Sequence, residues 1–182
     1  MSKENVNQEL LAGLNSPDMT IVSETIQELR IHGNVNVLPA VFRLFFSNNS
    51  VQLKDEILNL LNDIKDPEAV PVFMEGVKEY RGKKGFDQLV SACWQCGLDF
   101  SAYMDEFIEL VIEDDYYTSL EAFSVIEENV SLLSSQQRTA RLELVRSKLE
   151  LLSPEKRLLV NELLSLLSIV SGPFRIDPDH LN

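Results

Sequence analysis

Lysine and arginine are missing between Gly85 and Gln137, although that stretch carries eleven acids: Asp87, Asp99, Asp105, Glu106, Glu109, Glu113, Asp114, Asp115, Glu121, Glu127 and Glu128. These acids supply most of the formal net charge of −13 and leave only −2 for the rest of the 182 residues. Polyphosphate is repelled across such a middle third, which argues against nucleic-acid binding through basic contacts and favours a basic protein partner. Cysteine is scarce as well: Cys93 and Cys96 fall on one predicted helix and make no disulfide framework. Residues Met1 to Leu10 are polar where a secretory signal needs an apolar core, so the expected location is cytoplasmic. The most apolar run, Pro154 to Val170, is shorter than the ~20 residues of a membrane span and is interrupted at Asn161 and Glu162, so no membrane association is expected. No run alternates apolar and polar residues long enough to make a strand.

What is present is helical periodicity. In Val51 to Tyr80, Leu53, Ile57, Leu60, Leu61 and Ile64 recur at spacings of three and four and share one helix face. Asp66-Pro67-Glu68 then reads as a restart: an oxygen for an orphan N–H, a proline that loses nothing at the first helical position, and an acid at the positive helix end. Val70, Phe73, Met74 and Val77 form the stripe of the second helix. Upstream, Val6, Leu10, Leu11 and Leu14 mark a first helix, Ser16-Pro17-Asp18 opens a second with Val22, Ile26 and Leu29 inside, and Gly33 ends it. A third, with Leu38, Val41, Phe42 and Phe45, stops at Ser47 to Ser50.

Shifted by thirty-two residues, the chain matches itself: Ile26 falls on Leu58, Leu29 on Leu61, Leu38 on Val70, Pro39 on Pro71, Val41 on Phe73 and Phe45 on Val77. Val90, Cys93 and Gly97 repeat Ile26, Leu29 and Gly33, and Tyr103, Met104, Phe107, Ile108 and Val111 repeat Val37, Leu38, Val41, Phe42 and Phe45. A fourth, less regular unit begins with Leu120, Phe123 and Ile126. Helix pairs at a period of thirty-odd residues indicate a stacked array.

Through Leu58, Leu61, Ile64, Asp66, Pro67, Ala69, Val70 and Pro71, with echoes at Leu29, Gly33, Leu38 and Pro39, the chain resembles the short bacterial type of HEAT repeat over roughly residues 16 to 130. The buried Asp and Arg of many HEAT units are absent. The resemblance implies an all-α fold, a short α-α superhelix of antiparallel helix pairs over 1–134. Residues 135–172 are expected to form a capping helical hairpin packed on the array, and 173–182 a tail. Leu142, Val145, Leu149 and Leu152 stripe the first helix of that hairpin; Ser153-Pro154-Glu155 caps the second, whose leucines leave only a narrow polar edge and must be covered.

Each candidate chemistry has a plainer reading beside it. Cys93-Trp94-Gln95-Cys96 has redox or metal-pair spacing, but it lies near the end of a repeat helix and reads as buried thiols. His32 and His180 are far apart and supply no zinc set, so no metal or other cofactor is implied; His32 reads as a helix-end residue and Trp94 as packing. Glu113-Asp114-Asp115 lacks the spacing of a calcium loop. Asp105, Glu109 and Glu113, at i, i+4 and i+8, make an acidic stripe that either faces water or binds, and within the stretch no cation at i±4 pairs with them. Lys78, Arg81, Lys83 and Lys84 form a basic turn that is either a solvated connection or a partner for the acids of a second molecule.

The function expected from these features is a non-catalytic protein-binding scaffold, with Asp105, Glu109, Glu113, Asp114, Asp115, Tyr116 and Tyr117 meeting a basic protein or peptide. One version is a neutraliser of a basic nuclease or toxin. The alternative is a HEAT-like lyase or repair enzyme, which requires a cleft where Trp94 or Tyr103 meets Asp99 or Asp105. A homodimer through the Pro154–Val170 helix is a third expectation.

Overall fold

A computed structural model describes residues 3–32, 35–149, 152 and 154–168. Among these residues all regular structure is helical: α1 (Lys3–Leu14), α2 (Met19–His32), α3 (Leu38–Ser47), α4 (Val51–Asn62), α5 (Ala69–Tyr80), α6 (Phe86–Gln95), α7 (Met104–Glu113), α8 (Tyr116–Asn129), α9 (Ser135–Lys148) and α10 (Pro154–Ser168). Short 3-10 turns at Val35–Val37, Ser101–Tyr103 and Val130–Leu132 precede α3 and α7 and follow α8. No helix among them is long and apolar enough to cross a membrane. Gly33 and the residues after Ser168 lie outside the described residues, as do the stop expected at Gly33, the last two residues of the Pro154–Val170 helix and the tail.

Burial follows the repeat. Leu38, Val41, Phe42 and Phe45 of α3 are buried, and so are Val70, Phe73, Met74 and Val77 of α5, thirty-two residues on. The first helices of each pair drift from that register. Val22, Ile26 and Leu29 find their buried counterparts at Leu53, Ile57 and Leu60, thirty-one on, and those at Phe86, Val90 and Cys93, a further thirty-three on. Leu58, matched to Ile26 by the sequence shift, is only half-buried. Apolar neighbours at three- and four-residue spacing make a one-residue slip invisible in the sequence, because both phases share the stripe.

Helices α2, α4, α6 and α8 touch in succession, as do α1, α3 and α5; α10 lies against α7, α8 and α9. Helix starts depart from the reading at two of three proline signatures. Asp18 Oδ1 accepts from the Thr20 N–H at 2.9 Å and α2 begins at Met19; Asp66 Oδ1 accepts from the Glu68 N–H at 3.0 Å and α5 begins at Ala69. Pro17 and Pro67 therefore sit in the turn before the helix, and only Pro154 takes the first helical position. Gly97, at φ +68°, closes α6 in the left-handed conformation that favours glycine.

The apolar face of α10 is covered within the chain: Val160, Leu163 and Leu167 are buried, and Leu158, at 72%, is its one large apolar side chain counted as exposed.

Candidate functional site

Helix α7 spaces Asp105, Glu109 and Glu113 one turn apart, and Asp114 and Asp115 make the corner into α8. Cations from outside the acidic stretch converge on them. Arg81, from the turn after α5, places Nη1 2.7 Å from Glu109 Oε1, Nη2 3.4 Å from Glu113 Oε2 and Nε 2.8 Å from Asp114 Oδ2. Lys148 of α9 donates to Glu113 Oε1 at 3.0 Å. Arg141 Nε lies 3.0 Å from Asp105 Oδ1 without aiming its N–H there, so that contact is an ion pair rather than a directed hydrogen bond. Lys156 of α10 donates to the carbonyls of Ile112 and Asp114, closing the C-terminal end of α7 where orphan carbonyls and the helix dipole favour a cation. The stripe that the sequence leaves without cations is thus met in three dimensions, four carboxylates (Asp105, Glu109, Glu113 and Asp114) against three cations, with Lys156 on the carbonyls beside them.

Protonation follows these contacts. The hydrogen bond from Lys148, then its charge and that of Arg81, hold the Glu113 carboxyl below the ordinary value. Burial pushes the Asp115 carboxyl up, but the Thr118 N–H and hydroxyl and the Tyr117 N–H donate to it at 2.9–3.2 Å and the balance lies below the ordinary value. Asp115 is therefore the N-cap of α8 as well as part of the cluster. Burial pushes the Lys156 ammonium down against the pull of Asp114, Asp115 and Glu113. The Glu109 bond raises Arg81 further above its already high value.

Tyr116 and Tyr117 do not join the ionic network. They stand 53% and 71% exposed at the start of α8, ring centroids 6.1 Å apart in a T-shaped pair, with Leu120 exposed one turn on. The structure thus assembles the five carboxylates into a charge cluster and leaves the two tyrosines as an adjoining aromatic patch.

Three of the groups named for the enzyme alternative have partners outside that set. Trp94 Nε1 donates to Glu121 Oε2 at 2.7 Å, Asp99 Oδ1 accepts from the Ser101 N–H at 2.8 Å, and Asp105 faces Arg141. A groove of about 430 Å³ between α7 and α9 is lined by Ala102, Asp105, Glu106, Ile108, Glu109, Ile112, Leu144 and Lys148, without Trp94 or Tyr103. Cys93 and Cys96 are buried free thiols whose pKa burial raises, Cys93 the more strongly. Among the described residues no group of three or more His, Cys, Asp or Glu side chains is placed to hold a metal ion.

The sequence offers Arg81 to solvent or to the acids of a second molecule, whereas it pairs with the acids of its own chain, and sequence reasoning missed Arg141, Lys148 and Lys156. A signal for Arg81 was present: Arg81 and Asp114 are thirty-three residues apart, one period, and Arg30 pairs with Asp63 across the same interval. Asn129 was missed altogether, although its Oδ1 takes the buried Phe100 N–H at 2.8 Å and its Nδ2 donates to the Val125 carbonyl. The sequence matches no known protein-family model and no curated protein.

Proposed function

We propose that this chain is a non-catalytic HEAT-like helical-repeat protein, cytoplasmic, whose surface around residues 99 to 128 binds a basic protein or peptide; a neutraliser of a basic nuclease or toxin is one such role. Supporting the repeat architecture are the succession of helix contacts and the regular return of buried positions after thirty-one to thirty-four residues. The observation that carries the binding reading is the exposed pair Tyr116 and Tyr117 beside a dense run of carboxylates. Exposed aromatic area next to charge of one sign is the composition of an interface centre with its rim: the rings supply apolar area, the carboxylates steer a basic partner.

The tyrosines are also the cleaner test. Neutralising Glu109, Glu113 and Asp114 would also strip Arg81 of its ion-pair partners, giving lost capture two causes, whereas among the described residues the exposed rings have only each other as a ring partner. Affinity capture from the source cells at low salt, comparing the wild-type chain with Tyr116→Ser/Tyr117→Ser, is expected to lose a basic protein in the variant with unchanged thermal stability. Identical capture by both forms would overturn the reading.

A further inference from the structure

The acidic face of α7 already has an occupant, and the occupant shows what the face accepts. Helix α9 runs parallel to α7, Arg141 on Asp105 and Lys148 on Glu113, so two cations seven residues apart meet two acids eight apart. Between the cations, Val145 is buried and Leu144 lines the groove against Ile108 and Ile112. α9 packs mainly on α10 and only lightly on α7, and of its own side chains only Arg138 and Val145 are fully buried, with Leu142 half-buried. An open groove of about 430 Å³ runs along the α7–α9 contact. The interface is built from exchangeable charge pairs over a small apolar strip, and partly exposed pairs of this kind hold weakly. It also joins opposite charges within one chain: residues 135–168 carry Arg138, Arg141, Arg146, Lys148, Lys156 and Arg157 against four acids, whereas the face they meet has no cation of its own.

We propose that the α7 face is the docking surface for a basic amphipathic helix of the partner, one that presents two cations two turns apart with an aliphatic side chain between them, and that α9 holds this surface in cis until such a helix displaces it. The inference rests on the acidic-surface reading above and adds to it the form of the partner and the means of control. A tethered α9 competes at high effective concentration, so an incoming helix sees a reduced affinity until α9 is loosened.

The probe is a fluorescein-labelled synthetic peptide of residues 134–149, added at low salt to the full chain and followed by anisotropy. In Arg141→Gln/Lys148→Gln the cis helix loses its grip while the peptide keeps both cations, and the affinity is expected to rise about fivefold or more over wild type. Arg146→Gln/Arg157→Gln makes the same change of net charge at exposed positions and is expected to bind as wild type does. Equal affinities for these two double variants would show that net charge alone is read and would overturn the competition. Adding Asp105→Asn/Glu113→Gln to the released form is expected to abolish binding; retention would overturn the acidic-surface reading itself, and absence of binding by every form would overturn both. Should Arg141→Gln/Lys148→Gln fail to fold, Lys148→Gln against Arg146→Gln makes the same comparison with the Arg141 pair intact.

Discussion

Phe73 is fully buried and its ring meets others on two sides: Phe42 at 5.6 Å and Phe100 at 6.0 Å, with Phe107 a further 5.9 Å beyond Phe100, every pair edge to face. Such packing leaves no slack, and Gly76 shows the consequence. A Cβ there would lie 2.9 Å from two atoms of the Phe42 ring, itself held by Phe73. Alanine gains up to ~1 kcal/mol over glycine in a helix, but overpacking a rigid core costs about 1–3 kcal/mol. Gly76→Ala should therefore lower stability by up to about 2 kcal/mol in urea unfolding; a stabilised variant would mean that Phe42 moves freely. Asn129 offers the opposite case, a polar group that the core needs. Asn129→Ala strands the Phe100 N–H in a dry environment, so a loss of about 1–3 kcal/mol is expected, with faster exchange of that amide.

Two helix C-termini are closed by lysines from other parts of the chain. Lys65, from the α4–α5 connection, donates to the Cys96 carbonyl just past α6, and Lys156 closes α7 from α10. At the start of α8 the cap is local, Asp115, and it makes stability depend on pH. Its carboxyl and that of Glu113 are held below their ordinary values in the folded chain, so the stability they contribute is fully present above the ordinary carboxylate range near 4 and is lost as pH falls through their lower folded values. Asp115→Asn keeps a capping oxygen and removes the titration. Its melting temperature should lie below wild type near neutrality, fall less steeply below pH ~4 and converge with wild type in acid; parallel acid limbs would remove Asp115 from the account.

For the molecule as a whole, the proposed array has consequences for shape. A compact chain of this length has a radius of gyration of roughly 16 Å. Helix pairs stacked in one direction must exceed that, and X-ray scattering in solution is expected to give a larger value; one at or below it would refute the extended stack. The sequence made the helices legible because core positions recur every three or four residues, and it made the repeat legible because Val41 and Phe73, or Phe45 and Val77, return at one interval with the same burial. Buried thiols at Cys93 and Cys96 were legible for the same reason. The electrostatic state of the candidate site was not. Charge along a sequence reports only neighbours within a turn or two, and the cations that meet Asp105, Glu109, Glu113 and Asp114 come from 28 to 36 residues away, at Arg81, Arg141 and Lys148. By itself the sequence determined the helices, their period and the acidity of the middle third, since each is written in local spacing or composition. Only the tertiary structure decided which of those acids are paired, because ion pairing depends on distances of a few ångströms across elements whose separation the chain does not record.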